Sequence, residues 1–311
     1  FFSGSGGSGA FATASNNFGT NRIFSLPEQD LTINGLLQLQ AGARVNINAG
    51  AAGDINVLGD LHLGRLNAAN FGRIGALRYP NSGTSKTVTV EGDILVENGG
   101  FSDGDGDGAQ DYSTIEVIGG GAAAVEHKLI AKGNITLNEK GMLDLNGGLV
   151  NVTLELGGDD LAVFNITNDP GSVSVADLYR IKMNKGSDKT KTFTFSDDFN
   201  LNGPTNGTEK TIELVHGTLV LDHPDIDIDL STGGDEFLII NGSGLEVKQG
   251  EVNVEDSDIK LDGCLIVSGG TVDMSSDGNN NNLISTSSGG SDLLITSGSL
   301  NVGGQLMRNL L

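Results

Sequence analysis

Ser243-Gly-Leu-Glu-Val-Lys-Gln-Gly-Glu-Val-Asn-Val-Glu-Asp-Ser-Asp-Ile-Lys-Leu-Asp-Gly-Cys-Leu-Ile-Val-Ser-Gly-Gly-Thr-Val-Asp-Met274 decides the fold. Its apolar residues fall in pairs two positions apart: Leu245/Val247, Val252/Val254, Ile259/Leu261, Leu265/Val267 and Val272/Met274. Alternation of this kind turns one face of a short strand inward. Successive pairs start 6 or 7 residues apart, and the gaps carry Gly, Asp and Ser. A phrase of small residue, any, apolar, any, apolar recurs as Gly250-Glu-Val-Asn-Val254, Gly270-Thr-Val-Asp-Met274 and Gly298-Ser-Leu-Asn-Val302, at offsets of 20 and 28.

Three such strands make one turn, so the chain reads as all-β, a right-handed parallel β-solenoid of about 20–28 residues per turn. The hand follows from the rule for parallel crossovers. Tandem β-sandwich modules are the alternative. Asn-Gly at 34, 98, 146, 202, 206 and 241 suits their hairpins, but sandwich strands recur every ~8–12 residues. One turn alone buries too little to offset its ordering entropy, so stacking has to supply the stability.

Outward from this stretch the same grammar continues. Leu31/Ile33, Leu37/Leu39, Val45/Ile47, Ile55/Val57 and Leu61/Leu63 form an early run, and Val88/Val90, Ile94/Val96, Ile115/Val117 and Ile135/Leu137 extend it. Residues 1–30 open with a Gly/Ser run and lack clear alternation, which suggests a linker or an irregular N-terminal segment. The solenoid is expected over 31–311. Residues 178–200 stand apart as a basic segment, a longer strand pair or a protruding loop: five of the 18 Lys and Arg lie between Arg180 and Lys191. The chain starts at Phe1, and Gln305-Leu-Met-Arg-Asn-Leu-Leu311 has no polar cap. Both features suggest a fragment of a longer protein.

The 48 glycines and 5 prolines suit many tight turns. A net charge of −22 argues against phosphate backbones, so no nucleic acid is expected as a partner. It favours divalent cations or basic partners. No apolar run reaches the ~18 residues of a transmembrane segment. Cys264 is the single cysteine, which leaves no internal disulfide and reads as a small packed residue.

Asp103-Gly-Asp105-Gly-Asp107-Gly108-Ala-Gln-Asp111 matches the first part of a calcium loop. Asp103, Asp105, Asp107 and Asp111 supply carboxylates at positions 1, 3, 5 and 9, and Gly108 permits the turn. Thr114 stands where the closing Glu belongs, so Ca2+ ligation and a solvated acidic loop both remain open. Asp225, Asp227 and Asp229 alternate with Ile226, Ile228 and Leu230, which makes an outward carboxylate stripe: a cation or substrate stripe, or simply a soluble face. His62 lies between Leu61 and Leu63 and is expected to point outward. Gly4-Ser-Gly6-Gly-Ser-Gly9 follows no strand and is no nucleotide site. Asp159/Asp160, Asp197/Asp198 and Asp235/Glu236 are adjacent acids of the type glycoside hydrolysis needs, but Trp is absent as a sugar platform.

Gly217-Thr-Leu-Val-Leu-Asp222, Asp225-Ile-Asp-Ile-Asp-Leu230, Gly244-Leu-Glu-Val-Lys-Gln-Gly250 and Gly269-Gly-Thr-Val-Asp-Met274 resemble the repeat regions of giant surface adhesin-like proteins of Bacteroidota, exported by type IX secretion. The resemblance covers about a quarter of the chain clearly and most of it loosely. It implies a β-helical adhesin or filament protein of the bacterial cell surface or extracellular space, tied to gliding motility or attachment, with no catalytic residues. The expected function is therefore a structural or adhesive one: a stiff rod that presents loops and acidic stripes to other copies, other surface proteins or glycans. A polysaccharide lyase or hydrolase on a β-helix and a calcium-dependent binding module are the alternatives.

Overall fold

Short aliphatic pairs separated by turn residues can bury one face only if the next turn lies directly upon them, and that is how the chain is built. A computed structural model describes residues 10–11, 23–40, 43–64, 75–81, 83–97, 112–118, 125–167, 174–204, 210–230, 236–254, 257–275, 280–285 and 291–308. The strand ladders whose registers are defined among them are parallel, and no helix occurs among them. The fold is a parallel β-solenoid, consistent with right-handed winding. Two compact units divide it: Phe1–Leu154 with Asn165–Leu178, and Glu155–Phe164 with Tyr179–Leu311.

In the second unit three strands make one turn: Phe237–Ile239, Ser243–Val247 and Glu251–Asn253, then Ile259–Leu261, Cys264–Val267 and Thr271–Met274, then Leu283–Ser285, Asp292–Ile295 and Ser299–Val302. Registers align like with like. Leu245 faces Leu265 and then Leu293, and Val252 faces Val272 and then Leu300. These columns fill the interior: Leu245, Val252, Leu265 and Val272 are all buried. Gly250 turns one corner tightly. Its φ is +78°, and a Cβ there would collide with the Ile226 carbonyl of the turn below.

The first unit uses the same plan with longer turns. Leu37 faces Leu61, 24 residues on, but Ile94 faces Ile135, 41 residues on. The second unit keeps the expected 20–28 from Gly217 onward, as where Gly244 faces Cys264. The inserted residues of the first unit fall between strands, so they blur the sequence period and leave the registers intact.

One boundary differs from the sequence expectation. The ladder already includes Ile23–Ser25, paired with Arg44–Asn46, and Ala10–Phe11, paired with Gln38–Leu39. Neither carries an apolar pair at i and i+2, so alternation could not reveal them. In the basic segment at 178–200 the strand-pair reading is the one the structure shows. Arg180–Asn184 and Thr192–Phe195 are ladder strands with Ile181, Met183, Phe193 and Phe195 buried.

Candidate functional site

The outer faces hold the chemistry, because aliphatic side chains occupy nearly all of the interior. In the second unit the stripe Asp225, Asp227, Asp229 is exposed, with Ile226, Ile228 and Leu230 buried between, as period 2 predicts. The sheet it belongs to stacks Asp227–Asp229, Glu251–Asn253, Thr271–Met274 and Ser299–Val302. One outward column reads Asp229, Asn253, Asp273, Asn301. Asn253 Nδ2 donates to Asp227 Oδ1 at 3.2 Å and Asp229 Oδ1 at 3.1 Å, and Asn301 Nδ2 donates to Asp273 Oδ2 at 3.4 Å. Amides thus separate the carboxylates of this column. Burial is the largest single influence on the Asp273 carboxyl and pushes it up, but hydrogen bonds from the Ser275 backbone and hydroxyl and from Asn301 together outweigh it and hold the group below its usual range.

Beside this column, Asp227 lies opposite Glu251 with no amide between. Asp225, Asp227 and Glu251 line a groove of about 550 Å³ together with Gly250, Gly269 and Gly270. The carboxylates make it attractive to cationic groups and repellent to anions. Among the described residues, no group of three or more His, Cys, Asp or Glu is placed to hold a metal ion. The calcium candidates Asp103, Asp105, Asp107 and Asp111 lie outside the described residues.

In the first unit an acidic row runs across turns of unequal length. Glu116 faces Asp144, which faces Asp177, and Arg78 precedes them in the same column. Arg78 Nε pairs with Glu116 Oε1. Asp144 is half-buried. Burial and the charges of Asp177 and Glu116 push its carboxyl up, and a hydrogen bond from the Asn146 backbone opposes them. A carboxyl raised above its usual range beside further carboxyls is an arrangement that acid–base chemistry uses. Sequence reading missed this row because its members lie 28 and 33 residues apart, with no repeated spacing to mark them.

A second missed set gives part of the acidity a structural use. On two faces, the residue before several of the strands clamps the next turn. Asp30 Oδ1 accepts from the Gly53 and Asp54 N–H groups, and Asp54 Oδ1 from Thr87. Asp60 Oδ1 accepts from Asp93 N–H, and Asp93 Oδ1 from Asn134 N–H and Nδ2. In the second unit Asp258 Oδ1 accepts from Asn282 N–H at 2.6 Å and Nδ2 at 3.0 Å, and Asn282 Oδ1 from Gln305 N–H at 2.8 Å. The two N–H donors hold the Asp30 carboxyl below the usual range. The signal was available: Asp or Asn directly precedes Leu31, Ile55, Leu61, Ile94, Ile135, Ile259 and Leu283.

The remaining candidates are tied into the scaffold. His62 is partly buried, with Gln38 Nε2 at 3.4 Å from Nδ1 and Glu97 Oε2 at 2.7 Å from Nε2; Asn138 Nδ2 then donates to Glu97 Oε1 at 3.3 Å. His127 is fully buried. Its Nδ1 accepts from Lys86 N–H and its Nε2–H donates to the Pro80 carbonyl, both at 2.9 Å, so the ring is the neutral tautomer. Asp159 and Asp160 are exposed, and Asp198 is exposed with Asp197 half-buried. Glu236 pairs with Lys260, and Asp235 lies outside the described residues. No helix among the described residues is long and apolar enough to cross a membrane. Comparison with known proteins gives no match to a family model, a curated protein or a solved structure.

Proposed function

We propose that the chain is a structural or adhesive element of a bacterial cell-surface or extracellular assembly, acting as a stiff presenting scaffold. The observation that carries this reading is how the outer polar residues are used. They bond from turn to turn, as in the Asp258–Asn282–Gln305 clamps and the Asp229–Asn253–Asp273–Asn301 column, instead of converging on one reacting centre. Such ladders stiffen each unit and leave a repeated acidic face for basic or cation-bridged partners. The resemblance to adhesin-like repeats points the same way.

One observation favours a second reading, a glycan-acting β-helix enzyme: the Glu116–Asp144–Asp177 row with its raised central acid. One experiment separates the two. The protein is immobilised and exposed to a panel of acidic and neutral glycans and to soluble copies of itself, with binding and new reducing ends or unsaturated products measured together. Retention without product supports the scaffold. Turnover that disappears in Asp144→Asn overturns it and establishes the enzyme.

A further inference from the structure

The basic stretch between Arg180 and Lys191 is unusual in so acidic a chain, and presentation of an acidic face does not require it. Arg180 and Lys182 lie on a ladder strand, with Arg180 Nη2 3.1 Å from Glu213 Oε2. Lys185 turns inward, and its Nζ donates to the Gly157 carbonyl at 2.7 Å. The residues that follow fold back across the outside of the second unit. Gly186 N–H donates to the Gly158 carbonyl at 2.8 Å. Asp188 Oδ1 accepts from the Thr190 N–H at 2.8 Å and from its hydroxyl at 2.5 Å, which shapes the tip.

Two further bonds lay this loop on the stack. The Thr218 hydroxyl donates to the Lys189 carbonyl and the Thr218 N–H to the Lys191 carbonyl, both at 2.7 Å. Thr218 heads an outward column in which it faces Gly244, Gly244 faces Cys264, and Cys264 faces Asp292. Lys189 Nζ pairs with Asp292 Oδ2 at the far end. A residue bonded through its backbone at Thr218 and through its side chain at Asp292 spans three ladder steps, about 14 Å between the Cα positions at ~4.8 Å each. It therefore crosses Gly244 and Cys264. One observation agrees with this path: Cys264 belongs to an outward column yet is only 8% exposed.

We infer that residues 185–191 form an electrostatic latch that straps successive turns of the second unit, closes over Cys264, and opens when the Lys189–Asp292 pair is released. The ion pair is partly exposed, so salt screens it. Opening uncovers the thiol and the small-residue column beneath, while the aliphatic interior is untouched.

Cys264 is the single cysteine, which makes it a clean reporter. The test is the rate of maleimide labelling of the native protein, with circular dichroism confirming the fold. An exposed ion pair shifts such an opening equilibrium about two- to fivefold. Lys189→Ala and Asp292→Asn are each expected to label faster by that factor. Raising salt to ~0.5 M, several times the ionic strength at which exposed pairs are already screened, accelerates the unaltered protein equally and the two variants hardly at all. The charge swap Lys189→Asp with Asp292→Lys restores slow labelling. A salt-independent rate in the unaltered protein overturns the latch without any variant. So does a swap that labels as fast as the single changes.

Discussion

Leu265→Ala and Leu293→Ala remove the same atoms from the same inward column, and the solenoid predicts different costs. Leu219, Leu245, Leu265 and Leu293 face one another in sequence across four turns. Leu265 is 0% exposed and Leu293 is 37% exposed. Truncating Leu265 opens a closed void between two neighbouring turns, which costs about 2–5 kcal/mol. Because each turn is stabilised mainly by its neighbours, that loss weakens both interfaces. Truncating Leu293 forfeits roughly two-thirds of a side chain's burial, about 1–2 kcal/mol, and leaves no sealed cavity. Urea denaturation followed by far-ultraviolet circular dichroism gives the two costs. Amide exchange then locates them: Leu265→Ala should quicken exchange in Ser243–Val247 and Asp292–Ile295, and Leu293→Ala only in the latter and its immediate partner. Equal destabilisation, or a larger loss from Leu293→Ala, would refute the reasoning, since a column of independent strands has no inner and outer member.

The other predictions concern single polar groups. Burial, ahead of every other influence, lowers the His127 imidazole below its ordinary value, and its two hydrogen bonds need the neutral ring. The unfolded chain therefore binds more protons than the folded one below about pH 6.5, so stability is full above that pH and falls on acidification; His127→Gln should flatten this slope in a series of melts. Asp144 behaves oppositely: its carboxyl is raised, so its contribution is complete below about pH 3.8 and is lost as pH rises through the folded value. Asp144→Asn should accordingly raise the melting temperature at pH 7 and leave it unchanged at pH 3. Asp258→Ala removes two charge-assisted bonds from a half-buried clamp and should cost about 1–2 kcal/mol, with faster exchange of the Asn282 amide. For the calcium loop, a melting shift at millimolar Ca2+ that vanishes in Asp105→Ala with Asp107→Ala supports ligation, and no shift removes it.

The solenoid was legible because its cause is local. Val252, Leu265 and Val272 are buried for the reason their period-2 spacing gives, and the Ile226/Ile228 alternation places Asp225, Asp227 and Asp229 outside as read. The strand Ile23–Ser25 was not legible, since its membership depends on a partner, Arg44–Asn46, and not on its own pattern. Turn length was legible only where the loops are short. The same insertion between strands that lengthens the step from Ile94 to Ile135 destroys a sequence period without moving a register.

The candidate sites show the same division more sharply. Alternation within one strand says which side chains face outward, but it cannot say which residues of other turns stand beside them. The Glu116–Asp144–Asp177 row and the Thr218–Gly244–Cys264–Asp292 column exist only through stacking, and their members look unrelated along the chain. The strand-entry Asp and Asn residues are the exception. A carboxylate or amide directly before an aliphatic pair repeats in both units, and its use follows from elementary chemistry: it accepts the backbone N–H that the next turn brings within reach. A net charge of −22 is thus not all surface decoration. Part of it holds one turn to the next, so neutralising these clamps should loosen the stack before it alters what the outer face can bind.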